Sequence, residues 1–365
     1  MKIAIIHDWL TVNGGAEKVL TSVLKLYPDA DIFTLVDFLS DEDRKTIIDG
    51  KQATTSFIQN LPFSEKKFRN YLPFFPLAIE QFDLSDYDII LSFSHAVAKG
   101  VLTAPHQLHI SYVHSPIRYA WDMYHPYIQE HHITGMKALL LKYVLHKIRI
   151  WDVISSNRVD YFIANSSFIA SRIQKYYRRS ADVIFPPVNT EKFTLCEKKE
   201  AFYFTASRLV PYKKVKLIVE AFNENGKPLK VAGTGEQFEE IKKIAKSNIE
   251  VLGYCSDDEM RAYMQKAKAF VYAAYEDFGI VPVEAMACGT PVIAYGKGGI
   301  LDTVIPHKTG ILFEKQTAES INNAIYAFEN SAFDPAFISK HAASFSEERF
   351  QKAFKAYVDE SINKF

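Results

Sequence analysis

Residues 2–28, KIAIIHDWLTVNGGAEKVLTSVLKLYP, contain the unit from which the fold is built. The segment KIAIIHDW is short, rich in β-branched residues and flanked by polar ones, which predicts a buried strand. A loop with two glycines follows, and apolar residues then recur at the spacing of an amphipathic helix. These apolar positions are Val19, Leu20, Val23, Leu24 and Leu26. The stretch therefore predicts one strand–loop–helix unit of a parallel sheet.

The same alternation of strand and helix continues through both halves of the 365-residue chain. The strand-like segments are ADIFTLV, DYDIILSFS, HISYVH and DYFIANS in the first half, and AFYFTASRL, PLKVAGTG, IEVLGY, AFVYAAY, TPVIAYG and TGILF in the second. The paired prolines of residues 183–193, VIFPPVNTEKF, predict a hinge, and FSEERFQKAFKAYVDESINKF predicts a C-terminal helix. We therefore predict an α/β protein with two Rossmann-like, doubly wound domains that face each other across a cleft.

The composition is that of an ordinary soluble globular protein, and the formal net charge is zero. A zero balance argues against an overall nucleic-acid footprint. The three cysteines, Cys196, Cys255 and Cys288, have neither metal-like nor disulfide-like spacing, which fits a reducing cytosol. The N-terminus has too few apolar residues for a signal peptide, and no run is long enough to span a membrane. We expect a cytoplasmic protein that binds no nucleic acid.

Gly14 and Gly15 follow a strand and open a helix, so their N–H groups could meet an anion at the positive end of that helix. A simple tight turn is the structural alternative. A dinucleotide-binding fold would require G-x-G-x-x-G and an acid about twenty residues further on. The glycines here are adjacent and the third is missing, which argues against an NAD-dependent oxidoreductase.

TASRLVPYKKVKLIVEAF places Arg208 and Lys213 in a loop between a strand and a helix. Two fixed cations at this spacing can close on a diphosphate, Arg208 through its planar fork and Lys213 as a point charge. A solvated charge cluster is the alternative interpretation, and we assign Lys214 and Lys216 to it.

YEDFGIVPVEAMACGTPVI, residues 275–293, sets Glu276 and Glu284 eight positions apart. Pro282 suits the first turn of a helix and Gly289 its end, which would put Glu284 in the first turn. One acid could accept hydrogen bonds from a ribose and the other could face a sugar. An N-capping acid and an unrelated surface acid would explain each residue singly, but not the spacing and the glycines together.

These motifs together resemble those of retaining GT-B glycosyltransferases. EDFGIVPVEAMACGTPVI is similar to their E-x7-E motif, SRLVPYKK to their phosphate clamp, and NGGAEKV to their N-terminal glycine loop. PLAIEQFDLSDYDIILSFSHAVAKG and HISYVHSPIRYAWDMYH resemble segments of the mannosyltransferases that build bacterial O-antigen and capsular polysaccharides. The likeness runs over nearly the whole chain.

The resemblance implies a nucleotide-sugar donor site. Arg208 and Lys213 would neutralise the diphosphate, and Glu276 would address the transferred sugar. Lys214 stands where many relatives have glycine, so it stays open which lysine reaches the phosphates. The other donor-binding residues implied are Gly14 and Gly15 for the phosphates, Gly233 and Gly235 for the pocket, Tyr254 near the base, Phe278, Gly279 and Ile280 beside the sugar, and Glu284 for the ribose.

Histidines at strand ends are candidate catalytic residues of the first half. His95 follows IILSFS and His114 follows ISYV, so both should lie at the cleft, and ordinary packing is the alternative for each. We predict no metal site, because no two histidines form an i, i+4 pair with an acid in register. The histidines considered for a metal were His106, His109, His125, His131 and His132. The acceptor contacts we expect are Arg118, Tyr119 and Trp121.

By resemblance, residues 1–186 would bind the acceptor, residues 187–345 the nucleotide sugar, and the helix at 346–365 would return to the N-terminal domain. The expected donor is GDP-mannose, with a UDP-sugar as the alternative, and the expected acceptor is a glycan on polyprenyl diphosphate. No cofactor or metal is expected. A non-catalytic nucleotide-sugar sensor on the same fold is the remaining alternative, although both the clamp and the acids are intact.

GMKALLLKYVLHKIRIW, residues 135–151, predicts an amphipathic helix. Its apolar stripe would contain Met136, Leu140, Tyr143, Val144, Ile148 and Trp151, with Lys142, His146 and Arg149 on another face. A basic, aromatic-bearing helix of this kind can lie in a lipid interface. Ordinary packing under a solvated face is the alternative, and the polysaccharide resemblance favours a peripheral contact at the inner face of the cytoplasmic membrane.

Overall fold

The computed structural model describes residues 1–125, 128 and 134–365. The chain forms two compact units. Unit 1 contains Met1–Phe185 together with Gln351–Phe365, and unit 2 contains Pro186–Phe350. Within the described ranges, no helix combines the length and apolarity that crossing a bilayer requires.

Unit 1 is built on a seven-stranded sheet in the order β3-β2-β1-β4-β5-β6-β7, in which neighbouring strands are parallel. Its strands are β1 (Ile3–His7), β2 (Asp31–Thr34), β3 (Thr54–Thr55), β4 (Ile89–Ser94), β5 (Leu108–Val113), β6 (Tyr161–Ala164) and β7 (Asp182–Val183). Its helices are α1 (Gly15–Leu26), α2 (Asp41–Ile48), α3 (Ser64–Lys67), α4 (Phe75–Glu80), α5 (Gly135–Ser155) and α6 (Ser167–Tyr177). The two-residue strands β3 and β7 were not predicted, because segments so short leave no periodicity to detect.

Unit 2 repeats this architecture with a six-stranded parallel sheet in the order β10-β9-β8-β11-β12-β13. Its strands are β8 (Tyr203–Ala206), β9 (Leu229–Ala232), β10 (Ile249–Gly253), β11 (Ala269–Tyr272), β12 (Val292–Tyr295) and β13 (Gly310–Phe313). Its helices are α7 (Val215–Asn225), α8 (Phe238–Ile244), α9 (Asp257–Lys266), α10 (Ile280–Ala287), α11 (Ile300–Thr303), α12 (Ala318–Glu329) and α13 (Pro335–Ala342).

The last helix, α14 (Glu347–Lys364), starts in unit 2 and continues into unit 1. In unit 1 its Phe354 is buried, with the ring centroid 6.1 Å from that of Phe93 and 6.4 Å from that of Tyr112. Gln351 donates a hydrogen bond to the carbonyl oxygen of Ser22 at 3.1 Å. The predicted C-terminal helix and the α/β class with two doubly wound parallel sheets are therefore confirmed.

The predicted apolar stripe of helix α5 is partly buried and partly exposed. Ile148 is buried and Val144 and Trp151 are half-buried, whereas Met136, Leu140 and Tyr143 of the same predicted stripe are exposed. The predicted stripe is therefore packed over only part of its length, because α5 carries apolar residues on nearly every side and periodicity alone cannot decide which side packs. The exposed large apolar residues of the helix are Met136, Leu139, Leu140, Tyr143, Ile150 and Ile154.

A buried ion pair anchors the inner side of α5. Lys99 and Asp152 are both almost fully buried and their side chains are in direct contact. Asp152 also accepts hydrogen bonds from the indole N–H of Trp121 at 2.8 Å and the hydroxyl of Tyr177 at 3.0 Å. These bonds compensate the burial of the charges and tie α5 to α6 and to the segment after β4.

We expect Asp152→Ala to lower the free energy of unfolding by about 3–5 kcal/mol, because the ammonium of Lys99 would stay buried without its carboxylate. Chemical denaturation followed by circular dichroism measures the change. The matched control is Asp359→Ala, which removes an exposed i, i+4 pair with Lys355 and should cost less than about 1 kcal/mol. Equal losses for the two variants would contradict this account of the buried pair.

Candidate active site

The sheet of unit 2 has a topological switch point between β8 and β11, which are neighbours in space but not in sequence. From β8 the chain crosses over to β9 on one side, and from β11 it crosses over to β12 on the other. The segments that follow β8 and β11 therefore diverge and leave a crevice at the carboxyl ends of the strands, where open α/β sheets bind ligands. Arg208 and Lys213 follow β8, and Glu276 follows β11.

An ion pair joins the two sides of this crevice. Lys213 Nζ lies 2.5 Å from Glu276 Oε1, and the side chains are only 18% and 20% exposed. Arg208 is exposed, and its Nη2 donates a hydrogen bond to the hydroxyl of Tyr212 at 2.8 Å. The structure thus brings together three residues that the sequence predicted for one site. Lys214 has the left-handed φ of 57° and forms the N-cap of α7.

The segment that carries Glu276 rests on glycines after β12. Gly298 forms a bridge with Glu276, and the N–H of Gly299 donates to the carbonyl oxygen of Glu276 at 2.9 Å. At Gly298 φ is +83°, and a Cβ there would lie 2.4 Å from that same carbonyl oxygen. Only glycine therefore permits this approach. Sequence analysis missed this support, although the adjacent glycines of KGGI directly after a strand were a usable signal.

Helix α10 begins earlier than predicted. Gly279, with a φ of +94°, is its N-cap and Ile280 its first residue, so Glu284 lies in the second turn rather than the first. Pro282 lies in the first turn as predicted, but the position of Glu284 was predicted wrongly, because Gly279 can adopt the backbone conformation that lets the helix begin at Ile280, two residues before Pro282. Glu284 is buried, as is Phe278. Gly289 follows the end of the helix, as predicted, with a φ of +72°.

The predicted pocket glycines bring the segment after β9 against the one that carries Arg208. A Cβ on Gly233 would lie 1.9 Å from the carbonyl oxygen of Ser207. The N–H of Leu209 donates to the carbonyl oxygen of Thr234 at 2.8 Å, just before Gly235. Tyr254 follows β10, two strands from β8, and is 80% exposed. All the donor residues predicted in the second half therefore lie beyond the carboxyl ends of strands in one sheet.

Unit 1 has its own topological switch point, between β1 and β4. Asp8, directly after β1, bonds there to the turn that follows β4. Asp8 is fully buried and accepts four backbone hydrogen bonds. The N–H groups of His95 and Ala96 donate to Oδ2 at 2.6 and 2.8 Å, and those of Val97 and Ala98 donate to Oδ1 at 2.6 and 2.7 Å. These bonds stabilise the buried charge and fix the turn that holds His95. Sequence analysis missed Asp8, because its partners lie almost ninety positions away.

Three imidazoles meet beside this turn. The ring centroid of His95 lies 6.2 Å from that of His7 and 6.2 Å from that of His114. His95 Nδ1 is 3.2 Å from Asp8 Oδ2, although the angles there are not those of a hydrogen bond. Burial lowers the pKa of His95 below its usual value and that of His114 further still. Near neutral pH these two side chains are uncharged and act as hydrogen-bonding groups, not cations.

The glycine loop of unit 1 is partly occupied by its own chain. Gly14 is the N-cap of α1, and its N–H donates to Glu17 Oε2 at 3.1 Å. Burial alone would raise the pKa of Glu17, but His7, whose Nε2 is 3.5 Å from Glu17 Oε1, a backbone hydrogen bond and His95 together outweigh burial and lower that pKa. A phosphate at Gly14 would therefore have to displace a charged carboxylate, whereas Gly15 opens the helix itself.

The predicted acceptor residues lie in a segment that is anchored by side chains of α5 and α6. Trp121 uses its indole N–H on Asp152 and stacks on Tyr176 with ring centroids 4.6 Å apart. Arg172 donates to the hydroxyl of Ser115 at 2.9 Å and to Asp122 Oδ1 at 2.5 Å. Arg118 and Tyr119, between these anchors, are half-buried. Trp121 therefore stabilises the packing of this segment, whether or not it also contacts an acceptor.

The remaining histidines are dispersed. His109 is buried, its Nε2 lies 2.9 Å from Ser92 Oγ, and burial lowers its pKa to about 4. His106 and His125 are exposed, and His131 and His132 lie outside the described residues. Where the chain is described, no three His, Cys, Asp or Glu side chains are grouped so that they could hold a metal ion. The prediction that no metal takes part stays a prediction.

Two family models match overlapping parts of the chain. "Glycosyltransferase Family 4" matches residues 13–192, and "Glycosyl transferases group 1" matches residues 171–348. The chain is 30% identical over 221 residues to the uncharacterized glycosyltransferase MJ1178 of Methanocaldococcus jannaschii, covering 59% of this chain and 62% of that protein. It is 23% identical over 254 residues to the alpha-1,3/1,6-mannosyltransferase ALG2 of Dictyostelium discoideum, covering 56% and 60%.

A shorter match joins the chain to a GDP-mannose-dependent alpha-(1-6)-phosphatidylinositol monomannoside mannosyltransferase of Mycobacterium tuberculosis, 30% identical over 137 residues and covering 33% of this chain and 36% of that one. The matches thus span less than two thirds of the lengths of these relatives. Among solved structures, Anabaena Alr3699/HepE with UDP and glucose aligns with a TM-score of 0.72 at 17% identity, covering 99% of this chain and 100% of that one. The lipopolysaccharide outer core galactosyltransferase WaaB aligns with a TM-score of 0.70 at 17% identity, covering 99% of each chain.

We expect Glu276→Gln to raise the affinity for GDP about five- to tenfold, because Lys213 would no longer be held by a carboxylate and would be available to a phosphate. Lys213→Ala should lower that affinity about tenfold or more. Isothermal titration calorimetry measures both changes.

The matched control for this pair is Glu240→Gln, which frees Lys216 from an exposed pair of the same 2.5 Å length and should leave GDP binding unchanged. Weaker GDP binding by Glu276→Gln would show that the Lys213–Glu276 pair does not compete with the ligand.

Proposed function

Because this chain belongs to family 4 of the glycosyltransferases (group 1), with the GT-B fold, we propose that it is a retaining glycosyltransferase that transfers a hexose from a nucleotide sugar. The observation that carries the proposal is the meeting of Arg208, Lys213 and Glu276 at the switch point of unit 2. Two cations and an acid at one crevice are suited to a sugar diphosphate, whose two ends differ in charge.

The proposed donor is GDP-mannose. Support comes from relatives named as mannosyltransferases, one of them as GDP-mannose-dependent. The alternative donor is a UDP-sugar. It stays an alternative because the structurally similar Anabaena Alr3699/HepE was solved with UDP and glucose. Tyr254 and the pocket glycines would bind the base and the ribose side of the donor, together with Glu284.

In the proposed reaction, the bond between the sugar C1 and the diphosphate oxygen lengthens, and negative charge grows on the leaving group. Arg208 and Lys213 lie where they can stabilise that charge electrostatically as it develops. Loss of one such group commonly costs about 3 kcal/mol of barrier. Lys213 moves from Glu276 to the phosphate, and Glu276 then becomes free to accept hydrogen bonds from the sugar.

Retention of the anomeric configuration follows if the acceptor attacks the face from which the diphosphate leaves. The departing phosphate oxygen takes the proton of the acceptor hydroxyl, so no separate base is required. A covalent glycosyl-enzyme on a carboxylate is the other route to retention. The resemblance to retaining GT-B glycosyltransferases favours the first route, in which no carboxylate has to act as a nucleophile.

The proposed acceptor is a glycan carried on polyprenyl diphosphate in the synthesis of a bacterial surface polysaccharide, and unit 1 would bind it. The imidazoles of His95 and His114, uncharged near neutral pH, suit sugar hydroxyls. Arg118 and Tyr119 lie in the half-buried segment next to Trp121. A non-catalytic nucleotide-sugar sensor would share these binding groups, but it would neither transfer nor slowly hydrolyse the sugar.

Helix α5 offers a surface for the lipid that carries such an acceptor. It exposes the six large apolar residues given above and also Lys137, Lys142 and Lys147. Its one acid, Asp152, is buried against Lys99. The exposed face is therefore apolar and positively charged in a chain whose net charge is zero, which suits an anionic lipid surface.

We expect GDP to raise the melting temperature more than UDP, ADP or dTDP at equal concentration, because a ligand stabilises the folded state in proportion to its occupancy. GDP-mannose incubated with lipid-linked acceptors should then give a product one hexose heavier by mass spectrometry. Greater stabilisation by UDP would reject GDP-mannose as the donor. Tight nucleotide binding with neither transfer nor hydrolysis would favour the sensor.

We expect the double variant Leu140→Ser, Tyr143→Ser to bind vesicles that contain phosphatidylglycerol at least tenfold more weakly than the wild type, because two exposed apolar side chains are lost from the contact. Co-sedimentation measures the binding. The control is Tyr326→Ser on α12, which removes an exposed aromatic residue of unit 2 and should change nothing. Equal binding by all three proteins would show that α5 does not contact the lipid surface.

A further inference from the structure

Tyr212 contacts both of the cations that flank the crevice of unit 2. Its hydroxyl accepts the hydrogen bond from Arg208 Nη2 at 2.8 Å. Its ring centroid lies 5.5 Å from Lys213 Nζ, within the range of a cation–π interaction. One side chain thus touches the two groups to which the diphosphate is assigned, and the site described above gives it no role.

The backbone around Tyr212 is fixed. Pro211–Lys213 form a single 3₁₀ turn, in which the N–H of Lys213 donates to the carbonyl oxygen of Val210 at 3.0 Å. The N–H of Lys214 donates to the carbonyl oxygen of Pro211 at 3.2 Å. Pro211 presets its own φ, so the turn loses little freedom when a ligand binds. Tyr212 is therefore presented from a rigid position, with only the torsions of its own side chain left to set.

The hydroxyl of Tyr212 is also suited to a second bond. A phenol that accepts a hydrogen bond still carries its own O–H, which it can donate. The bond from a guanidinium polarises that O–H and makes it a better donor to an anion. Arg208 thus orients the hydroxyl beside the place where the diphosphate would lie.

We propose that Tyr212 is a third ligand of the donor's diphosphate, donating its O–H to an oxygen of the sugar-bearing phosphate while its ring holds Lys213 in place. The inference rests on the proposed function, since it requires a diphosphate between Arg208 and Lys213. Tyr212 then contributes to the preference for a nucleoside diphosphate over a monophosphate, because a monophosphate lacks the group that the hydroxyl would reach.

The test compares Tyr212→Phe and Tyr212→Leu with the wild type by calorimetry with GDP and GMP. Tyr212→Phe should weaken GDP binding about tenfold, the usual effect of losing a hydrogen bond to a charged group, and change GMP binding by less than about twofold. Tyr212→Leu should weaken GDP binding further, because it also removes the ring beside Lys213. The control is Tyr326→Phe on α12, which is exposed and should bind both nucleotides as the wild type does.

Three results would overturn the inference or its premise, and they are distinguishable. Wild-type GDP affinity in Tyr212→Phe, with GDP binding lost in Arg208→Ala, would remove Tyr212 from the site and leave the clamp intact. Equal weakening of GDP and GMP by Tyr212→Phe would assign Tyr212 to the structure of the turn alone. Undiminished GDP affinity in both Arg208→Ala and Lys213→Ala would reject the proposed function itself.

Discussion

The ion pair of Lys213 with Glu276 is the interaction on which the account of unit 2 depends. The pair forms because β8 and β11 are adjacent in the sheet although they are far apart in sequence. The segments that follow these two strands therefore lie side by side without being consecutive in the chain. Glycines supply the rest of the geometry, since Gly233 and Gly298 allow backbones to approach where any Cβ would collide. A nucleotide sugar would exchange the carboxylate on Lys213 for a phosphate, and the carboxylate would become available to the sugar.

The switch point of unit 1 is organised by a carboxylate, whereas that of unit 2 carries two cations. At its switch point a buried carboxylate, Asp8, gathers four backbone N–H groups and fixes the turn that carries His95. The imidazoles of His95 and His114 are neutral near neutral pH because burial lowers the pKa of each. Unit 2 therefore presents cations at its switch point and unit 1 uncharged hydrogen-bonding groups, which is consistent with a charged donor in one unit and a sugar acceptor in the other.

Sequence analysis predicted the fold and the family because both depend on local patterns. Strand–helix alternation, glycines after strands and the E-x7-E spacing of Glu276 and Glu284 are all visible in the chain, and the structure and the family matches confirm the fold and the family. Roles of individual residues, the acceptor and the surface-polysaccharide pathway stay predictions. Features that depend on distant pairing were missed, such as Asp8 with the turn after β4. The turn of α10 that holds Glu284 was predicted wrongly, and the packed side of α5 was left open, because propensity and periodicity do not reveal what a residue packs against.

The central claim is that a nucleoside diphosphate binds at the switch point of unit 2, and a crystal structure of the protein with GDP-mannose tests it most directly. The account predicts the diphosphate between Arg208 and Lys213, the Lys213 ammonium moved from Glu276 to a phosphate oxygen, and Glu276 against the sugar. A nucleotide bound at another place, or bound here while Lys213 still pairs with Glu276, would contradict it.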